Sequence, residues 1–118
     1  MPLLVKIAPD LEPAALDELI NVCEANTISG IIAANTTLDH SAIAHDEQGG
    51  LSGAPLQKKS TAVIRQIANK TKIPIIGCGG IFDAGSAREK IEAGAKLLQV
   101  YTGFIYHGPK LIRELASL

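Results

Sequence analysis

The chain has 118 residues, 47% of them hydrophobic and 19% charged, with a net charge of −1, which suits one domain with a buried core and excludes a disordered chain. Acids and bases are interspersed without a basic stripe and aromatic residues are only 3%, so a nucleic-acid surface is excluded. No apolar run approaches the ~20 residues of a membrane span and no signal-peptide pattern opens the chain.

Met1-Pro2 leads straight into an apolar run, as in the middle of a longer protein. Leu3–Ile7 reads as a strand, closed by Ala8-Pro9-Asp10, since proline cannot extend a ladder. Glu12-Pro13 opens a helix whose buried stripe is Leu16, Leu19, Ile20 and Cys23. After the return loop 26–30 comes a second strand, Gly30–Ala34, followed by Asn35-Thr36-Thr37. Residues 38–56 are irregular, and a loop this long in an α/β unit is a candidate binding loop. Lys58–Lys70 reads as the second helix, with Ala62, Ile64, Ile67 and Ala68 inward and Ser60-Thr61 as a cap or in its first turn. Ile73–Gly77 is the third strand, Ala84–Ala93 the third helix with Gly94 as its stop, and Leu97–Tyr101 the fourth strand. A last helix, Lys110–Ala116, follows Gly108-Pro109.

The order βαβαβαβα implies a parallel sheet, and the continuous apolar runs are those of strands covered on both faces. Two architectures satisfy it: an open doubly wound sheet, or four βα units of a (β/α)8 TIM barrel, about half of one. No G-x-G-x-x-G opens the first helix, so the dinucleotide fold has little support. In both architectures ligands bind at the carboxyl ends of the strands. Those ends carry Lys6, then Asn35-Thr36-Thr37, then Gly77-Cys78-Gly79-Gly80, then Tyr101-Thr102-Gly103.

A lysine in an apolar run suits an anionic ligand or charge that develops during a reaction; otherwise its stem packs and its head reaches solvent at an edge. Asn35 and Thr36 suit either a turn or a planar polar ligand. The glycine-bearing turns after the third and fourth strands suit a phosphate held by backbone N–H groups. Cys23 and Cys78 fit no metal or CxxC spacing and read as small buried apolar residues. His40, His45 and His107 read as solvated loop histidines, and no metal-ligand spacing is present.

Five strings, Val5–Leu11, Asn35–Asp39, Gly49–Gly53, Ile75–Ile81 and Gly103–Ile112, resemble dihydroorotate dehydrogenase, most closely its quinone-dependent class. They cover essentially the whole chain in order. The resemblance implies that residues 1–118 are the C-terminal half, strands five to eight, of an FMN-binding TIM barrel. It implies that Lys6 contacts the flavin ring, that Ala34 and Gly53 line it, and that Gly80, Tyr101 and Thr102 hold the FMN phosphate. Asn35 and Thr36 would hydrogen-bond dihydroorotate or orotate. The family's reaction oxidises (S)-dihydroorotate to orotate in pyrimidine (UMP) biosynthesis, with a quinone reoxidising the flavin. Its proton-accepting serine belongs to the other half, so no catalytic residue is assigned here and the 118-residue chain alone is expected to be inactive.

The resemblance also implies a parent protein peripheral on the cytoplasmic face of a bacterial inner membrane. Two open strand edges predict self-association. Two rival readings are a Schiff-base aldolase using Lys6 as nucleophile, and a non-catalytic ligand-binding half-barrel.

Overall fold

The computed structural model describes residues 1–118 as one four-stranded sheet with helices. Strands β1 (Leu4–Ile7), β2 (Gly30–Ala33), β3 (Ile75–Cys78) and β4 (Leu97–Gln99) are all parallel and lie in the order β1-β2-β3-β4. Three helices cross over between them: α1 (Pro13–Ala25), α2 (Gln57–Ala68) and α3 (Ala84–Ala93). Two further helices, α4 (Thr102–His107) and α5 (Pro109–Ala116), follow β4.

Register places Ile7, Ala33 and Gly77 on one face and Lys6, Ile32, Ile76 and Leu97 on the other. The first face is dry. Ile7, Ile31, Ala33 and Ile75 pack there with Leu16, Ile20 and Cys23 of α1 and Val63, Ile64 and Ile67 of α2 in a single core. The second face carries no helix: Leu4 is 46% and Leu97 64% exposed, Lys6 is exposed, and Ile32 and Ile76 are half-buried. A doubly wound sheet has helices on both faces and a reversal in strand order. Sequential order with one-sided helices is instead a segment of a singly wound barrel.

Local chemistry accounts for the helix ends. Pro13 starts α1, where its missing N–H is not needed. Asp83 and Ser86 form a reciprocal capping box on α3, and Gly94, at φ +122°, ends it. Three expectations need correction. Ala62 is exposed, and α2 turns Val63, Ile64 and Ile67 to the core with Ser60 and Thr61 buried beside them. The stretch after β4 is a helix, α4, separated from α5 by Gly108 at φ +61°. The third strand begins at Ile75 rather than Ile73, and the fourth ends at Gln99 rather than Tyr101.

Residues 38–50 form one excursion closed at its neck by an antiparallel bridge between Thr37 and Leu51. No helix is long and apolar enough to cross a membrane.

Candidate functional site

The carboxyl ends of the four strands open into one cleft of about 390 Å³. Lys6, Ala34, Asn35, Thr36, Gly53, Gly80, Tyr101 and Thr102 all line it. These eight residues come from β1, the turn after β2, the long loop, the turn after β3 and the start of α4. Parallel strands in register bring them together, because each strand ends at the same rim.

Lys6 projects from the helix-free face, where its ammonium donates to Gln99 Oε1 at 3.4 Å. In a flat sheet the strands carrying these residues would stand about 14 Å apart, three steps of about 4.8 Å. Their side chains meet because the sheet curls, so Lys6 lies within a concavity. The Schiff-base reading needs a desolvated lysine. Lys6 is exposed and faces a neutral amide, which gives that reading no support.

A second cavity, about 460 Å³, shares Gly53, Gly80, Thr102 and Gly103 with the cleft but not Lys6, Asn35 or Thr36. The cleft therefore has a lysine- and amide-bearing end and a glycine-bearing end. At the glycine end three backbones touch. A Cβ on Gly80, at φ +72°, would lie 2.3 Å from Gln57 Cα, and one on Gly103 would lie 2.1 Å from Ile81 O. Only glycine permits these approaches. The backbone N–H groups of Gly79, Gly80, Thr102 and Gly103 donate to no acceptor in the chain. Several N–H groups converging on one hollow form an anion-binding concavity. Ser52 Oγ and Thr102 Oγ1, 2.8 Å apart, tie the long loop to this end. Tyr101 is 79% exposed and stands at the N-cap position of α4, with no capping hydrogen bond from its side chain.

The loop is fastened at its other end too. Lys59 bridges Asp10 Oδ1 at 2.8 Å and Asp39 Oδ2 at 3.4 Å. Thr37 Oγ1 donates to Asp10 Oδ1 at 2.6 Å, and the Leu38 N–H to Asp10 Oδ2 at 2.8 Å. Desolvation raises the pKa of Asp10, but the hydrogen bonds from Lys59, Thr37 and Leu38 outweigh it and hold the carboxyl at about 2. Gly50 lies against Thr36: a Cβ there would fall 1.9 Å from Thr36 Oγ1. His40 is not simply solvated. It bonds Asp46 and the Gly49 carbonyl, each at 2.8 Å, and braces the excursion. His45 and His107 are exposed, His107 at the rim of the second cavity. No group of three or more His, Cys, Asp or Glu is arranged to hold a metal ion.

Cys23 and Cys78 are both buried and free. Sequence reasoning missed that Cys78 also lines the cleft, together with Ser52 and Gln99. Cys78 and Gln99 were legible as the ends of β3 and β4. Ser52 had no signal beyond its place in the loop.

Comparison with known proteins agrees with this geometry. The sequence model of the family described as "Dihydroorotate dehydrogenase" matches residues 1–117. The chain is 51% identical over 121 residues to a protein of Photobacterium profundum named "Dihydroorotate dehydrogenase (quinone)", covering 98% of this chain and 36% of the relative. A protein of the same name from Buchnera aphidicola is 54% identical over 121 residues, with the same coverage. The crystal structure of DHODH from Eimeria tenella in complex with ferulenol superposes with a TM-score of 0.92 at 35% identity, over 98% of this chain and 32% of that one. The chain thus spans about a third of the length of the relatives it matches. With four parallel βα units, one rim and a family match from end to end, the chain belongs to the dihydroorotate dehydrogenase family.

Proposed function

We propose that residues 1–118 supply the cofactor- and substrate-holding rim of a quinone-dependent dihydroorotate dehydrogenase, as the C-terminal portion of its barrel. The observation that carries this reading is the single cleft joining Lys6, the Asn35-Thr36 pair and the Gly80–Thr102–Gly103 hollow. The residues fit FMN. A glycine hollow with unengaged N–H groups suits a phosphomonoester, and a cation at the far end suits a ring that gains negative charge. FMN, when bound, supplies the two-electron acceptor for oxidation of (S)-dihydroorotate to orotate.

The chain's own residues hold and orient. Gly80, Tyr101 and Thr102 hold the phosphate, and Ala34 and Gly53 line the flavin. The Lys6 ammonium offsets negative charge that develops beside it. Asn35, with an amide donor and acceptor, and Thr36, with a hydroxyl, bind the polar edge of dihydroorotate or orotate. Gly50 against Thr36 fixes where that hydroxyl stands.

The proton acceptor is placed outside residues 1–118. Ser52 lines the cleft, but its hydroxyl faces Thr102 rather than a base. Ser60 and Ser86 are buried within helix starts. Ser29, Ser41 and Ser117 lie outside the cleft. The isolated chain therefore has no turnover. The quinone and any membrane contact are likewise assigned to the parent protein.

The test is a chimera in which residues 1–118 replace the matching segment of the Photobacterium profundum relative. It should carry flavin and reduce quinone in the presence of dihydroorotate, whereas residues 1–118 alone should show no turnover. Lys6→Ala in the chimera should lower the rate by about a hundredfold, the scale of a lost electrostatic stabiliser. A folded chimera without flavin, or a Lys6→Ala variant of unchanged rate, would contradict the proposal.

A further inference from the structure

Lys90, on α3, is fully buried, at 0% exposure. Its ammonium has no carboxylate partner. Its three N–H groups donate to Gln57 O at 2.7 Å, Ser60 Oγ at 2.6 Å and Thr61 Oγ1 at 2.5 Å, all in the first turn of α2. A buried cation without an anion is costly, and packing alone would favour an apolar side chain of that length. Ser60 Oγ in turn donates to Gly79 O at 2.8 Å. Its single proton has a second acceptor in reach, Gln57 O at 3.1 Å, but that carbonyl already accepts from Lys90, and the shorter bond is the one to Gly79 O.

In a trans peptide the C=O and N–H point in opposite directions. The Gly79–Gly80 peptide is trans, since the only cis bond is Ala33–Ala34. Drawing the Gly79 carbonyl inward to Ser60 therefore turns the Gly80 N–H outward, on the side of the cleft that Gly80 lines. That N–H has no acceptor in the chain. Both glycines have positive φ, +104° and +72°, so without a tether the turn has other conformations open to it.

We propose that Lys90 is a positioning residue for an anion site: through Ser60 it fixes the Gly79–Gly80 peptide so that its N–H meets a phosphomonoester, to which its own buried charge is the counter-ion. This rests on reading the cleft as a phosphate-bearing cofactor site and adds how that end is built. The two charges need not touch, because attraction across a dry protein layer is screened far less than in water. Desolvation pushes the Lys90 pKa down to about 8, with Glu89 on α3 and Cys78 on β3 pulling it up. The α2 side presents only neutral hydroxyls and a carbonyl, so an anion arriving at the turn stabilises the cationic form.

The experiment compares FMN with riboflavin, which differs only in lacking the phosphate, by flavin-fluorescence titration of the 118-residue chain. Lys90→Met keeps the length and removes the charge. Ser60→Ala keeps the charge and breaks the relay. Each should reduce the preference for FMN over riboflavin by about tenfold while leaving riboflavin affinity unchanged, the scale of a hydrogen bond to a charged group. A purely structural role predicts equal loss of both ligands. An unchanged FMN-to-riboflavin ratio in Ser60→Ala, which perturbs folding least, overturns the relay even if Lys90→Met does not fold. If the unsubstituted chain shows no preference for FMN, the phosphate reading of the cleft itself fails, and the role of Lys90 with it.

Discussion

Both ring nitrogens of His40 face acceptors, the Asp46 carboxylate and the Gly49 carbonyl, and both can donate only when the ring is protonated. The Asp46 bond first, then the Gly49 bond, raise its pKa above 6.5. A raised folded-state pKa gives a contribution that is complete below about pH 6.5 and fades as pH rises through the raised value. Amide protection factors in residues 38–50, taken relative to the intrinsic exchange rate at each pH, should therefore fall on going from pH 6 to pH 8, and His40→Phe should remove that fall. Lys90 has the opposite sign. Its folded pKa is lowered to about 8 from 10.5, so the folded state sheds its proton first and stability rises across that interval. Denaturant titrations at pH 8 and pH 10 should show this rise, and Lys90→Met should lack it. The site residues at strand ends were legible because polar groups directly after apolar runs are conspicuous. Lys90 was not: in Ala87-Arg-Glu-Lys-Ile-Glu92 a lysine reads as part of a solvated helix face.

The α3 element shows where sequence patterns are informative. The expected bounds, Ala84–Ala93 with Gly94 as the stop, are those of the structure, which adds a reciprocal capping box of Asp83 and Ser86 at the start. Asp83→Ala should cost about 1 kcal/mol, read as a lower urea midpoint at unchanged slope. Periodicity gave Ile64, Ile67 and Ala68 of the inward face of α2 but put Ala62 there in place of Val63, and it left out Ser60 and Thr61, whose hydroxyls are buried against Gly79 and Lys90. It missed α4 because Thr102-Gly-Phe-Ile-Tyr-His107 is rich in β-branched and aromatic residues, favoured in strands. Packing overrides that preference: a Cβ on Gly103 would be 3.1 Å from Leu111 Cδ2, so α4 lies tightly on α5. Gly80→Ala should both disturb the start of α2, by about 2 kcal/mol, and abolish FMN binding, checked by thermal melting and fluorescence titration.

The whole molecule has one covered and one open sheet face. β1 and β4 are edges with a ladder partner on one side only, and Leu4 and Leu97 stand exposed on the concave face. Edges of this kind invite pairing with another chain. The 118-residue chain should therefore sediment as an oligomer, and Leu97→Lys should shift it toward monomer. Strand number, direction and order followed from the sequence, since continuous apolar runs joined by helices leave few topologies. The pattern alone left barrel and doubly wound sheet open, because both share the order βαβα and differ in which face each helix covers; the strings resembling dihydroorotate dehydrogenase pointed to the barrel, and the one-sided helices bear that out.

In the proposed complex one rim holds a flavin ring at Lys6 and its phosphate at the glycine hollow. A crystal structure of the chain, or of the chimera, soaked with FMN tests it most directly. The phosphate should lie within hydrogen-bond distance of the Gly80 and Thr102 N–H groups, with the isoalloxazine beside Lys6. Density for FMN in the reverse orientation, or bound away from this cleft, would contradict it.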